Sequence, residues 1–385
     1  MKSIGIMSMH RIFNYGSFLQ GYALKQILHS IDPSARVNFL DYRPGKPILQ
    51  AEEESTHRVS RTIKKVASYG KVNTSLVNKL RFFNHKRTYA QKNFPALGLS
   101  PEPNYNFSVD LQIIGSDEVF NCVQANSNVG YSRDLFGHAS PAKAVISYAG
   151  SFGNTTLQKL KKYGLIEQLR EDFLRFADIS VRDENSRSIV EEITGRSPAV
   201  HVDPVLAYDY MKECKKIPAG RMNTRPYMIV YGYAGRFTKA ENAAIRAYAK
   251  AKDYEILCIG GVQGCGGKFM DCTPFEVLAL FRDAEAVVTD TFHGSIFSII
   301  NKKKFITIIR RSHGDEYGNE EKLRYLLDSL FLGERGVYSA TQEALGDVLG
   351  GDIDYGPVMS RLDSARIESR DYLQRNLNLI GQSNA

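Results

Sequence analysis

Asp290 and His293 stand three residues apart in Thr289-Asp290-Thr291-Phe292-His293-Gly294-Ser295. A buried-strand pattern (Ala286 to Val288) precedes them and a new apolar run (Ile296 to Ile300) follows. An acid and an imidazole in a strand-to-helix turn can exchange a proton, and the N–H groups of the helix start add capacity for an anion. Histidine titrates near neutral pH, so His293 can donate a proton or hold a phosphate; the plainer role is to cap the turn. Asp290 could orient His293, act as a base, or serve only as a helix N-cap.

Four more strand-like runs end in the same way, at 3–8, 110–114, 143–148 and 178–181. Arg182 follows the last of these, a place suited to an anion ligand or to a salt bridge with Asp183 or Glu184. Asp117 and Glu118 follow Gly115-Ser116 and suit sugar hydroxyls, unless Ser116 merely caps a helix. Asn14-Tyr15-Gly16 reads as the first strand-to-helix turn, with Gly16 allowing close backbone approach to a ligand. Arg236, Arg310 and Arg311 each stand just beyond a later strand. The run Gly260 to Lys268 is rich in glycine but matches neither GxxxxGK[ST] nor GxGxxG opening a helix, and reads as a mobile loop with Lys268 a further phosphate contact. Ser151 lies in Gly-Ser-Phe-Gly, which is not a nucleophile elbow. Ligands of open α/β sheets bind beyond the carboxyl ends of strands. One polar cluster there is routine, and five suggest an enzyme.

The elements that must position these residues alternate between short strand patterns and helical ones, which predicts an α/β chain with mainly parallel sheets. Beyond the five runs, strands are expected at 37–42, 199–203, 227–233, 254–260 and 304–309. Helices are expected at 156–175, 184–194, 238–252, 273–283, 293–301 and 320–331. With 385 residues the chain exceeds one ordinary core. The pattern suggests a Rossmann-like domain over 1–208, a polar linker over 209–226, a second Rossmann-like domain over 227–345 and a helical tail over 346–385 that crosses back. Two such domains facing a cleft fit the plan of many sugar-processing transferases.

Composition excludes several classes. No uncharged apolar run approaches the roughly 20 residues needed to span a bilayer, and Met1 to Met7 reads as a strand, not a signal peptide, so a cytoplasmic protein is expected. Five cysteines (122, 214, 258, 265, 272) supply neither a disulfide framework nor a CxxC site, although three of them are seven apart. Net charge is +8, and His57 to Phe94 holds ten Lys or Arg (58, 61, 64, 65, 71, 79, 81, 86, 87, 92) without an acid. That segment, 57–94, also carries enough apolar residues for one or two amphipathic helices. Its charge suits an anionic inner-membrane surface or a polyanionic substrate, or else it is a solvated pair of helices packed on the first domain. No nucleic-acid motif accompanies it.

Taken together, several segments resemble the polysaccharide pyruvyl transferase family. They are Asn14-Tyr15-Gly16-Ser17-Phe18-Leu19-Gln20, Ile113 to Asn121, Ser147 to Gly153, Ile179 to Asp183, Val202-Asp203-Pro204-Val205-Leu206 and Thr289 to Gly294, in an order covering about 1–335. The resemblance implies a fold similar to the GT-B glycosyltransferases. It also implies transfer of a pyruvyl group from phosphoenolpyruvate to a sugar of a cell-surface polysaccharide, such as an exopolysaccharide, or of its lipid-linked oligosaccharide precursor. The product would be a cyclic ketal, with no metal or organic cofactor. The family's better-known members carry an arginine two residues before the histidine, where this chain has Thr291; Arg236 or Arg310-Arg311 could supply that charge. On this reading His293, Asp290 and Arg182 are catalytic, and Asn14, Tyr15, Gly16, Ser116, Asp117, Arg236, Arg310 and Arg311 bind substrate. A nucleotide-sugar glycosyltransferase or a non-catalytic glycan-binding protein of the same fold are the competing readings.

Overall fold

The computed structural model describes residues 1–48, 70–124, 129–311 and 318–382. Strands β1 (Ser3–Met7), β2 (Arg36–Leu40), β3 (Leu111–Ile114) and β4 (Ala144–Ser147) form a parallel sheet in the order β2-β1-β3-β4. A short parallel pair, β5 (Ser180–Val181) and β6 (Ala199–Val200), continues it through bridges from Ile146 to Asp178 and Gly150 to Val181. The second sheet is also parallel. It runs β12-β11-β10-β7-β8-β9, built from β7 (Tyr227–Tyr231), β8 (Glu255–Ile259), β9 (Lys268–Phe269), β10 (Ala286–Thr289), β11 (Phe305–Ile308) and β12 (Gly336–Val337). The central strands β3, β7, β10 and β11 are buried at every residue, which is why they read as continuous apolar runs and not as alternation.

Helices cover the sheets. In chain order they are α1 (Tyr15–Ile31), α2 (Leu76–Asn93), α3 (Leu157–Lys162), α4 (Ile166–Phe173), α5 (Glu184–Thr194), α6 (Pro204–Ala207) and α7 (Tyr210–Glu213). The second half adds α8 (Lys239–Ala251), α9 (Pro274–Asp283), α10 (Phe292–Ile300), α11 (Glu320–Asp328), α12 (Gln342–Gly350) and α13 (Tyr355–Gln382). Local signals set many starts. Thr238 with Glu241 and Thr273 with Glu276 form reciprocal capping boxes at α8 and α9, satisfying N–H groups that a helix start leaves open. The helix expected over 156–175 is instead two, because Gly164 (φ +66°) turns the chain between α3 and α4. Within 209–226, Tyr210 and Cys214 are buried and α7 forms a turn, so this stretch packs against the body more than its polar composition suggests. Helix α12 straddles the start of the expected tail, in a stretch where the sequence pattern predicts no separate helix.

The tail does cross back. From α13, the Tyr372 hydroxyl donates to the Ser147 carbonyl at 2.8 Å, Arg370 to Ser30 Oγ at 2.7 Å and Asn376 to Asp178 at 3.1 Å. The two halves also meet directly, with Phe18 edge-on to Phe275 at 5.8 Å and Tyr22 to the same ring at 5.1 Å. The positive residues Arg58, Arg61, Lys64 and Lys65 lie outside the described residues. The described part of the basic segment, α2, does not rest only on the first half. Asn78 donates to the Gly267 carbonyl at 2.8 Å and accepts from Phe269 N at 2.9 Å, and His85 meets Asp271 at 2.8 Å.

Candidate functional site

Each sheet has one place where strand order reverses, between β1 and β3 in the first and between β7 and β10 in the second. At such a point neighbouring crossovers leave to opposite faces and open a crevice at the carboxyl ends. The two crevices face each other across a cavity of about 400 Å³. The first half contributes Asn14, Tyr15, Asp117, Glu118 and Arg182, and the second Tyr233, Arg236, Asp290, His293 and Lys322.

Helix α10 decides where His293 points. Its N-cap is Thr291, whose Oγ accepts from Gly294 N at 2.9 Å, so Asp290 is not the cap. All nine residues of α10 are buried, which fixes the helix rotation and leaves His293 facing the first half. There its ring lies directly against Gly16: a Cβ at that position would fall 2.1 Å from His293 Cγ. The close approach that Gly16 permits is therefore to the imidazole, not to a ligand. Asn14 caps α1 by accepting from Gly16 N at 2.7 Å and donates to the Tyr233 hydroxyl at 3.0 Å across the cavity. Tyr15 lines the cavity with its hydroxyl committed to the Cys272 carbonyl at 2.9 Å.

Arg182 is buried but pairs with neither Asp183 nor Glu184. Its Nη1 donates to Asp203 Oδ2 at 2.9 Å, and its guanidinium stacks 4.3 Å from the Phe292 ring centre. His293 Nε2 is 3.5 Å from the same Asp203 oxygen, longer than a good hydrogen bond. Burial disfavours the charged form of Asp203, yet His293 and Arg182 outweigh it and hold the carboxyl below its ordinary range. Asp203 is the residue that sequence reasoning passed over as a functional side chain, although it ends a strand as the others do. It also caps α6, accepting from Val205 N at 3.0 Å.

Asp290 is as buried and behaves in the opposite way. Burial pushes its carboxyl up, against the pull of Arg236 (Nε to Oδ2 2.9 Å) and Arg310 (Nε to Oδ2 3.6 Å). Arg310 is held by two hydrogen bonds to Glu241, at 2.7 and 3.0 Å, and lies behind Asp290, outside the cavity lining. Arg311 is 60% exposed, over the Tyr338 ring at 4.2 Å, and is no part of the site. Of Arg236, Arg310 and Arg311, the candidates to replace the arginine absent at Thr291, Arg236 alone lines the cavity.

Ser116 does not line the cavity either. It is fully buried, with Oγ donating to Gln20 at 2.6 Å, and no helix follows for it to cap. Asp117 does line the cavity. It adopts φ +77°, a conformation aspartate tolerates better than most, and its carboxylate accepts from Ser17 Oγ at 2.7 Å and Glu118 N at 2.9 Å. Glu118 forms an ion pair with Lys322 of α11, joining the halves; this pair and its Asn121 contact overcome burial and bring the Glu118 carboxyl down to about 2. Lys322 carried no sequence signal, because only the docking of α11 brings it to the cavity.

The glycine run is packed, not mobile. Val262, Gln263 and Cys265 are buried, and a Cβ at Gly261 would meet Ala234 N at 2.2 Å. Gly260 reaches the cavity but Lys268 does not. Cys258 and Cys265 lie with sulfurs 3.7 Å apart, while among the described residues no group of His, Cys, Asp and Glu is arranged to hold a metal ion. Among the same residues no helix is long and apolar enough to cross a membrane.

The sequence model of the polysaccharide pyruvyl transferase family matches residues 14–313, which spans the cavity's contributions from Asn14 to Asp290 and His293. No curated protein matches the chain. Among solved structures, S. aureus MnaA in a co-structure with UDP aligns over 98% of this chain and 98% of its own at 10% identity, TM-score 0.51. A UDP-N-acetylglucosamine 2-epimerase from Rickettsia bellii aligns over 100% and 98% at 9% identity, TM-score 0.50. These likenesses show a GT-B-like fold.

Proposed function

The chain belongs to the polysaccharide pyruvyl transferase family, and from that premise we propose that its cavity transfers a pyruvyl group from phosphoenolpyruvate to two hydroxyls of a saccharide. The acceptor is a cell-surface polysaccharide or its lipid-linked precursor. The observation that carries this reading is a set of buried polar atoms, on residues that line one cavity, without a hydrogen-bond partner among the described residues: Arg182 Nε, His293 Nε2 and Asp290 Oδ1. Buried groups of this kind are normally bonded, and leaving them open costs stability unless a ligand completes them.

A cation, an imidazole and a carboxylate match what the chemistry demands. Arg182 and Arg236 hold the donor's carboxylate and phosphate, Arg236 filling the role that Thr291 leaves vacant. His293 delivers a proton to the methylene carbon, which becomes a methyl group and leaves an oxocarbenium-like centre at the adjacent carbon. One sugar hydroxyl attacks that centre and passes its proton to Asp290, whose raised affinity for protons suits a base. Loss of phosphate regenerates an oxocarbenium-like centre, and the second hydroxyl closes the ketal. Of the two protons lost from the hydroxyls, one is balanced by the new C–H bond and the other by the departing phosphate. Asp203 keeps Arg182 charged and in place and sets the orientation of His293. Asp117 offers lone pairs to the sugar.

Titration calorimetry with phosphoenolpyruvate tests the reading, with uridine diphosphate alongside. Saturable phosphoenolpyruvate binding that weakens in His293→Ala and in Arg236→Ala is expected. Arg236 is partly exposed but is the nearest cation to the buried Asp290, so the melting temperature of Arg236→Ala is read alongside its binding. A second reading, a nucleotide-sugar glycosyltransferase, is favoured by Tyr233, a half-exposed ring on the cavity wall beside Gly260. Binding of uridine diphosphate without phosphoenolpyruvate would move the assignment there.

A further inference from the structure

Helix α2 buries one face and turns an apolar one to solvent. Asn78, Phe82, His85 and Tyr89 pack inward, Phe82 edge-on to Phe269 at 5.3 Å. On the opposite side Leu76 is 76% exposed, Leu80 69% and Phe83 58%. At the helical advance of about 100° per residue, Leu76, Leu80, Phe83 and Arg87 share an arc of roughly 60°. Scattered apolar side chains on a surface need no explanation, but a row along the centre of a solvated helix face does. Its surroundings are cationic: residues 70–94 contain Lys71, Lys79, Arg81, Lys86, Arg87 and Lys92 and no acid.

We propose that this face docks on an anionic lipid bilayer. Leu76, Leu80 and Phe83 enter the boundary between headgroups and acyl chains, and Lys79, Arg81 and Arg87 meet lipid phosphates. Charge selects lipid over a second copy of the chain. An isologous pairing of two such faces would bring cations together with no acid on either side to neutralise them. The position adds a consequence, one that rests on the transfer reading above. His85, Lys86 and Tyr89 on the other side of the same helix line the cavity, so docking holds the cavity within one helix diameter (~10–12 Å) of the bilayer surface, close to where a lipid-linked saccharide is anchored.

Cosedimentation of the full chain with phosphatidylcholine vesicles, with and without phosphatidylglycerol, tests the dock. Binding only to the anionic vesicles, weakened by salt, is expected. Arg81→Gln/Arg87→Gln should weaken it roughly thirtyfold, and Leu80→Gln/Phe83→Gln by at least about tenfold. Melting temperature should not change in either variant, because these side chains are exposed. Calorimetric binding of phosphoenolpyruvate should also be unchanged, which separates failure of the dock from failure of the transfer reading. Wild-type protein left in the supernatant, or variants that bind as well as wild type, would overturn the proposal. So would a wild-type dimer in sedimentation equilibrium that Leu80→Gln/Phe83→Gln dissociates.

Discussion

Two arginine–aspartate pairs meet at one cavity, Arg182 with Asp203 from the first half and Arg236 with Asp290 from the second; both arginines and Asp290 line it, and Asp203 stands behind Arg182. Both acids are buried and both lie beyond the end of a strand. Yet Asp203 is held ionised while Asp290 is pushed toward its protonated form. Residue type and burial do not separate them; hydrogen bonds do. Asp203 accepts from Arg182 and from Val205 N and has His293 beside it. Asp290 has cations at ion-pair distance without a hydrogen bond to either oxygen among the described residues. The cation that faces Asp290 from behind, Arg310, is already committed to Glu241. A carboxylate becomes an anchor when donors complete it and a proton acceptor when burial is left partly uncompensated.

The largest effect should come from Asp203→Asn. It removes the counter-ion of the buried Arg182 and should cost about 3–5 kcal/mol in urea unfolding. A loss below about 1 kcal/mol would mean that Arg182 finds another partner and that the two acids are alike.

Gly16→Ala should come next, at about 1–3 kcal/mol, because the added methyl meets the His293 ring. Turnover should fall more steeply than stability, since the displaced ring leaves Asp203. Equal activity in a stable Gly16→Ala protein would show that His293 does not need this seat.

The pH dependence sharpens the contrast further. A lowered carboxyl contributes stability above its unfolded value, near 3.9, and loses it as pH falls through the folded value. Wild type should therefore lose more stability than Asp203→Asn on acidification below about pH 4. Parallel curves would remove Asp203 from the acid transition.

The smallest change is expected from Asp290→Asn. A raised carboxyl binds its proton more tightly in the fold, so its stabilising effect is present below the unfolded value and is lost as pH rises through the folded one. At neutral pH the asparagine should match or exceed wild type in urea-unfolding free energy, by less than about 1 kcal/mol, while turnover falls. A loss of stability equal to that of Asp203→Asn would erase the distinction.

Much of this arrangement can be read in the chain itself. Strand ends at Asn14, Asp117, Arg182, Asp290 and His293 are legible because a run of apolar residues that stops at a polar cluster has few other structural meanings. Arg310 and Arg311 carried the same signal and do not serve the cavity. A strand end says where a side chain begins, not which way the next residues turn. Ser116 misled for a related reason: a serine after a strand resembles a cap, but no helix follows it.

Periodicity, punctuation and motif order alone were enough to determine the parallel α/β plan, most helix positions and the family. They report on local burial and backbone preference, which neighbouring residues dictate. Tertiary structure decided what depends on approach between distant segments. The seat of His293 on Gly16, the sharing of Asp203 by Arg182 and His293, and the Lys322–Glu118 bridge each join residues from opposite halves. Titration was decided there too, because a carboxylate's proton affinity is set by the donors and solvent around it, and those arrive only when the two sheets close on one another.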